Sequence, residues 1–240
     1  MGLTENTSAE GNAIGLEWEN ECVPYSKTYG DHFYSQNNGR EECRHVFING
    51  NDLPHRLAGS NEFTIAELGF GTGLNFLETW DFWRKIRGNS QKLNFVSFER
   101  HPLDAASMKL ALTPWPELEA LGQLLQDVWT NKADEPNVWL MDPQTTLQVY
   151  FAEANDGLSQ WQNKADAWYL DGFSPAKNPE MWSPGLMNNV FLHTCENGTF
   201  ATYTSAGWVR QNLVDAGFEV NRVPGHGKKR HMSIGTKTTL

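Results

Sequence analysis

The stretch Thr64-Ile65-Ala66-Glu67-Leu68-Gly69-Phe70-Gly71-Thr72-Gly73-Leu74 constrains this chain more than any other. A short apolar strand runs into three alternate glycines. A helical pattern follows, with Leu74, Leu77 and Trp80 on one face and Phe76 and Trp83 beside them. A strand, a glycine turn and a helix in that order bring backbone N–H groups to a helix N-terminus, where a ligand can approach closely. The alternation continues downstream. Further strands are expected at 93–98, 147–151, 167–170 and 199–203, with helices over 102–112, 116–129 and 209–216 and others between the later strands. Two last strands, 218–223 and 232–235, close the chain like a hairpin. Five βα units and such a finish imply an α/β fold: a mostly parallel seven-stranded sheet with helices on both faces and right-handed crossovers.

Other segments are less regular. Residues 1–15, rich in Gly, Ser, Thr, Asn and Glu, read as a disordered leader. Residues 16–60 read as a small N-terminal β-rich segment, with hairpin-type signals at Asn38-Gly39 and Asn49-Gly50. Residues 61–240 then form the main domain, and 131–144, carrying Pro136 and Pro143, read as a loop inserted before the third strand. A length of 240 residues suits one α/β domain of this kind. Cys22, Cys43 and Cys195 form no metal-ligand spacing, so no metal site is expected and the thiols read as reduced. No apolar run approaches the ~20 residues that span a bilayer, and Met1 to Gly15 lack the basic start of a signal peptide. The expectation is a cytoplasmic protein with no membrane partner.

Spacing separates the possible cofactors. A dinucleotide fingerprint G-x-G-x-x-G would place its third glycine at Leu74, a bulky residue. The pattern found, E-x-G-x-G-x-G from Glu67 to Gly73, resembles the first motif of class I S-adenosylmethionine-dependent methyltransferases, a Rossmann-like family. That resemblance implies that Glu67, Gly69, Phe70, Gly71, Thr72, Gly73 and Asn75 surround the methionine part of the cofactor. An acid ending the second strand, Glu99, would take the ribose hydroxyls, and Glu153 after the third would face the adenine amino group. Asp171, a candidate for cofactor binding as well as for catalysis, follows the fourth apolar strand directly and precedes Gly172, at the sheet edge where ligands of open α/β sheets bind.

Three runs are more specific: Gly69 to Phe76, Asp171-Gly172-Phe173-Ser174-Pro175-Ala176-Lys177-Asn178-Pro179-Glu180-Met181-Trp182, and Thr202 to Arg210. They resemble the methyltransferase part of the MnmC tRNA-modifying enzymes, and the likeness runs from Leu16 to Gly235. It implies methyl transfer from S-adenosylmethionine to the primary amine of 5-aminomethyl-2-thiouridine at the tRNA wobble position, giving the 5-methylaminomethyl product. In the fused relatives a FAD-dependent domain makes that amine. The chain therefore resembles the stand-alone methyltransferase, served by a separate FAD-dependent enzyme, or a piece of the fused form. It departs from the family at Ala152-Glu153, usually Gly-Asp, and at His231, usually Glu.

On this reading Asp171 accepts a hydrogen bond from the substrate amine, orients it and takes a proton, and Phe173 offers an aromatic face to the developing ammonium. Lys177, Arg210, Lys228, Lys229 and Arg230 are candidate tRNA phosphate contacts, and Trp182 and Trp208 candidate pocket walls. Trp80, Trp83, Trp129 and Trp168 fit core positions. The formal charge of −10 excludes a generally basic coat. It is unevenly spread: residues 1–60 carry four basic and nine acidic side chains, and 205–240 carry six basic and two acidic. A local basic edge near the C-terminus is expected from this. Two alternatives remain: an N-methyltransferase of another amine, and a non-catalytic tRNA-binding module.

Overall fold

The computed structural model describes residues 14–35, 38–129, 137–227 and 229–238. The leader expected over 1–15 falls almost entirely outside them, as does Lys228. The chain starts with a three-stranded antiparallel sheet of β1 (Leu16–Glu19), β2 (Val23–Ser26) and β3 (Asp31–His32). Helix α1 (Gly39–Cys43), a π-helical turn (Arg44–Asn49) and α2 (Leu53–Ala58) follow. The β-rich segment expected over 16–60 is thus β only as far as His32. The two Asn-Gly signals serve helices: Asn38 caps α1, its side chain accepting from the Glu41 N–H at 3.2 Å, and Asn49-Gly50 closes the π turn.

The main sheet starts with β4 (Glu62–Leu68), which leads into α3 (Leu74–Ile86), β5 (Lys92–Phe98), α4 (Ala105–Leu112) and α5 (Glu119–Val128). Then come β6 (Asn137–Asp142), β7 (Thr145–Tyr150), α6 (Ala154–Gln160) and β8 (Ala165–Leu170). The chain finishes with α7 (Pro184–Leu192), β9 (Thr194–Thr202), α8 (Gly207–Ala216), β10 (Glu219–Pro224) and β11 (His231–Thr236). Among the described residues the sheet has eight strands in the order β10-β11-β9-β8-β4-β5-β7-β6, one more than expected. The extra strand is β6, from the stretch read as a loop, and it pairs antiparallel with β7 at the sheet edge. Pro143 lies in the turn after it, where a proline leaves the ladder intact; residues 131–136 of that stretch, Pro136 among them, lie outside the described residues. β4, β5, β7, β8 and β9 run parallel, and β11 is antiparallel to both its neighbours.

Two apolar layers cover the sheet. One packs α3, α4 and α5 with Cys43, Val46, Phe47, Ile48, Leu53 and Leu57 from the N-terminal helices. The other packs α6, α7 and α8, with Trp161, Trp168 and Trp182 fully buried. Trp80, Trp83, Trp129 and Trp168 are all core residues, as their spacing implied. The N-terminal helices are bound to the sheet by polar contacts as well. Glu78 on α3, 1% exposed, receives Arg40 at 2.6 Å and also Arg44. Asn51 donates to the Phe47 and Trp168 carbonyls and accepts from Thr199 at 2.7 Å.

The strand order reverses between β4 and β8. From β4 the chain steps outward to β5 and β7, then returns to β8 and leaves the other way. Such a switch point opens a crevice at the carboxyl ends of the strands.

Candidate active site

Four sequence signals converge on that crevice because each follows the carboxyl end of a parallel strand: Gly69–Gly73 after β4, Glu99 after β5, Glu153 after β7 and Asp171 after β8. Gly69, Gly71 and Gly73 all have positive φ, 82°, 54° and 78°, a region side chains disfavour. Gly69 also passes close to the second glycine turn, since a Cβ there would lie 3.7 Å from the Gly172 Cα. The turns enclose a cavity of about 470 Å³, ample for a cofactor and a reacting group. Gly69, Phe70, Gly71, Thr72, Asn75, Glu99, Glu153, Asp171 and Phe173 line it.

Glu67 and Gly73 lie behind the lining. Glu67 is fully buried, with its oxygens accepting from Asn75 at 3.0 Å and Ser97 at 2.8 Å. Burial pushes its carboxyl well above the usual range. The same Asn75 amide donates to Asp171 at 2.7 Å. Glu67 therefore fixes Asn75, and Asn75 fixes Asp171. A second bond, from the Gly172 N–H at 2.9 Å, completes the orientation of Asp171. Burial raises its carboxyl to about 6, against the opposing effect of these two donors. Glu99 accepts from the Gly71 N–H at 2.8 Å and the His101 N–H at 2.6 Å, and burial raises its carboxyl too. Glu153 caps α6 with one oxygen, accepting from the Asn155 N–H at 2.8 Å.

The N-terminal sheet contributes a wall that the sequence did not reveal. Tyr29 stacks on Phe173 with ring centroids 4.6 Å apart, and Phe33 meets the same ring edge-on at 5.3 Å. Asp31 accepts from the Ser174 N–H at 2.9 Å and pairs with Lys177 at 3.3 Å. Lys177 also donates to the Gly30 carbonyl. It is therefore engaged in tying the Asp171 loop to the N-terminal sheet. Tyr29 and Asp31 carried no signal beyond their residue types, since nothing local distinguishes a distant wall.

The remaining expectations divide. Trp182 is fully buried and donates to the Phe173 carbonyl at 3.2 Å, so it supports the loop from beneath and presents no face to the cavity. Trp208, 44% exposed, starts α8 outside the lining. Lys229 does reach the cavity, where it pairs with Glu42 at 2.6 Å and sits 4.0 Å over the Tyr203 ring. Arg230 is exposed, and Arg210 is half-buried with its Nε hydrogen-bonded to nothing. Lys237 is occupied by the Phe191 and Thr194 carbonyls at 2.9 and 3.0 Å.

The donor set suits S-adenosylmethionine. After two backbone bonds a carboxylate such as Glu99 retains acceptor capacity for a diol, and the second oxygen of Glu153 remains for an amine. Asp31, Glu42, Glu99, Glu153, Asp171 and Glu180 outnumber Arg100 and Lys229 around the cavity, a balance that favours a sulfonium cation. Among the described residues, no cluster of three or more His, Cys, Asp or Glu could hold a metal, and no helix is long and apolar enough to cross a membrane.

Comparison with known proteins agrees. The family model of S-adenosyl-L-methionine-dependent methyltransferases matches residues 116–238. The chain is 42% identical over 221 residues to the tRNA 5-methylaminomethyl-2-thiouridine biosynthesis bifunctional protein MnmC of Azoarcus sp., covering 92% of this chain and 35% of that protein. It is 40% identical over 224 residues to the protein of the same name from Stutzerimonas stutzeri, covering 92% and 34%. The chain thus spans about a third of the length of these relatives. The crystal structure of MnmC2 from Aquifex aeolicus shares the fold, with a TM-score of 0.76 and 24% identity over 91% of this chain and 68% of that one.

Proposed function

The chain belongs to the S-adenosyl-L-methionine-dependent methyltransferases, and from that premise we propose that it methylates the primary amine of 5-aminomethyl-2-thiouridine at the wobble position of tRNA. The observation that carries the acceptor is the 42% and 40% identity, over nearly the whole chain, to proteins named for 5-methylaminomethyl-2-thiouridine biosynthesis. A FAD-dependent activity, fused or separate, supplies the amine, and the reaction takes place in the cytoplasm with the tRNA.

S-adenosylmethionine, when bound, supplies an electrophilic methyl group on its sulfonium. Glu99, the glycine turn and Glu153 would hold it. Displacement at that methyl requires a neutral nitrogen lone pair held in line. Asp171, fixed by Asn75 and Gly172, accepts a hydrogen bond from the amine and takes the proton it loses. A carboxyl raised to about 6 is ionised at neutral pH and is a better proton acceptor than an ordinary aspartate. Phe173, buttressed by Tyr29, walls the nitrogen and excludes water. The lining carboxylates attract the cationic amine before it deprotonates.

The test is nucleoside mass spectrometry of bulk tRNA from cells with and without the gene. Aminomethyl uridine should accumulate in its absence and the methylaminomethyl form return on complementation. Unchanged nucleosides would refute the acceptor assignment.

A further inference from the structure

The pair Glu42–Lys229 cancels in the charge balance of the cavity and bonds none of the side chains assigned to the cofactor, yet both residues line the cavity. Lys229 Nζ lies 2.6 Å from Glu42 Oε1. Glu42 comes from α1, its side chain 14% exposed, and Lys229 from the turn before β11, 44% exposed. Lys229 rests on the face of Tyr203, whose hydroxyl donates to the Gly172 carbonyl at 2.9 Å. A succession of contacts therefore leads from Gly172, beside Asp171, through Tyr203 to Lys229 and then Glu42. It lies toward the end of β9, whereas Glu99 and Glu153 follow β5 and β7 on the other side of β4. Lys229, 44% exposed, is the more open member of the pair.

We propose that Glu42 and Lys229 read the base of the acceptor nucleotide, Lys229 donating to O4 and Glu42 accepting from N3–H of a uracil. The inference rests on the acceptor being a 5-aminomethyl uridine. Around that ring C5 with its aminomethyl arm, C4=O and N3–H follow one another. The protein presents a proton acceptor for the amine, an ammonium and a carboxylate in the same succession. A base acted upon outside its stack is commonly recognised along this edge. A cytosine presents the opposite polarity, an amino group to the ammonium and a bare N3 lone pair to the carboxylate. Leaving such groups unpaired in a cavity costs more than the hydrogen bonds gain, so the pair selects uracil by rejection as well as attraction.

The test uses anticodon stem-loops carrying 5-aminomethyl-2-thiouridine, its N3-methyl derivative or 5-aminomethylcytidine at the wobble position. The wild-type protein should favour the first over the other two by at least tenfold in kcat/KM, roughly the value of one hydrogen bond. Glu42→Gln and Lys229→Met should bring that ratio down severalfold while S-adenosylmethionine binding by calorimetry stays within about threefold, as expected of residues outside the cofactor site. Lys229→Arg, which keeps a donor, should retain most of it. A merely structural pair would change the rate on all three substrates alike and leave the ratio unmoved, which would overturn the proposal. Loss of cofactor binding in both variants would also overturn it, by assigning the pair to the cofactor. Absence of wild-type methylation on every stem-loop would instead refute the acceptor reading on which the proposal rests.

Discussion

Asp171 is held by two donors and still has a carboxyl raised from 3.8 to about 6, so burial outweighs the hydrogen bonds that stabilise its charge. The consequence for activity has a definite sign. Below about pH 6 the group is protonated and cannot accept the amine proton, so kcat/KM should fall as pH drops through that value. Asp171→Asn should abolish that acidic limb and lower kcat by about 10²–10⁴, the usual weight of a general base, with cofactor affinity retained on calorimetry. The same raised value means that Asp171 contributes stability below its ordinary pKa that is lost as pH rises through about 6. Glu67 makes a second test. Its buried carboxyl is raised well above the usual range, and a glutamine keeps both partners, its oxygen accepting from Asn75 and its amide donating to the Ser97 hydroxyl, which turns to accept. Glu67→Gln should unfold within a few tenths of a kcal/mol of wild type, whereas Glu67→Ala should cost about 1–3 kcal/mol in denaturant melts by leaving buried polar groups unpaired. A large loss in Glu67→Gln would mean that the charge itself is required.

At the level of elements, the N-terminal sheet and the Asp171 loop act together through Asp31, which bonds Ser174 and pairs with Lys177. Asp31→Ala should free the loop carrying Phe173, raise KM for the acceptor more than it lowers kcat, and cost about 1.5–3 kcal/mol, as for a hydrogen bond to a charged group. Lys177→Ala, at a half-exposed pair, should cost under about 1 kcal/mol. Equal effects of both on kcat alone would argue against a positional role. The parallel strands were legible from sequence because burial on both faces makes them continuous apolar runs. The acids at their ends were legible because a charge directly after such a run has no packing reason to be there. β6 was not, since Val138 and Leu140 are exposed at a sheet edge and the sequence around it carries two prolines. The helices after Asn38 were misread because an Asn-Gly pair that fits a hairpin also fits a helix N-cap, and only the packing of Val46, Phe47 and Leu53 against the sheet decides between them. Trp182 was misplaced for a related reason: an aromatic beside a functional loop can face the ligand or hold the loop from beneath, and chain position does not distinguish the two.

Across the whole molecule, the net charge of −10 averages an acidic cavity and front with a basic tail. Among the described residues the structure narrows the tail's contribution, because Lys229 faces the cavity and Lys237 bonds backbone carbonyls while Arg222 and Arg230 remain exposed on the closing hairpin. With two exposed arginines among the described tail residues, log Kd for tRNA should change with log salt concentration by a slope of only about 1–2, at ~0.7–0.9 per phosphate neutralised, and Arg222→Ala with Arg230→Ala should remove most of it. A slope unaffected by that double substitution would place the phosphate contacts elsewhere. The central claim, methyl transfer to the wobble amine, is tested most directly with the purified protein, methyl-labelled S-adenosylmethionine, and tRNA bearing 5-aminomethyl-2-thiouridine. The expected product is labelled 5-methylaminomethyl-2-thiouridine, released on digestion and absent with Asp171→Asn. Label that fails to enter the tRNA, or that appears on any other nucleoside, would contradict it.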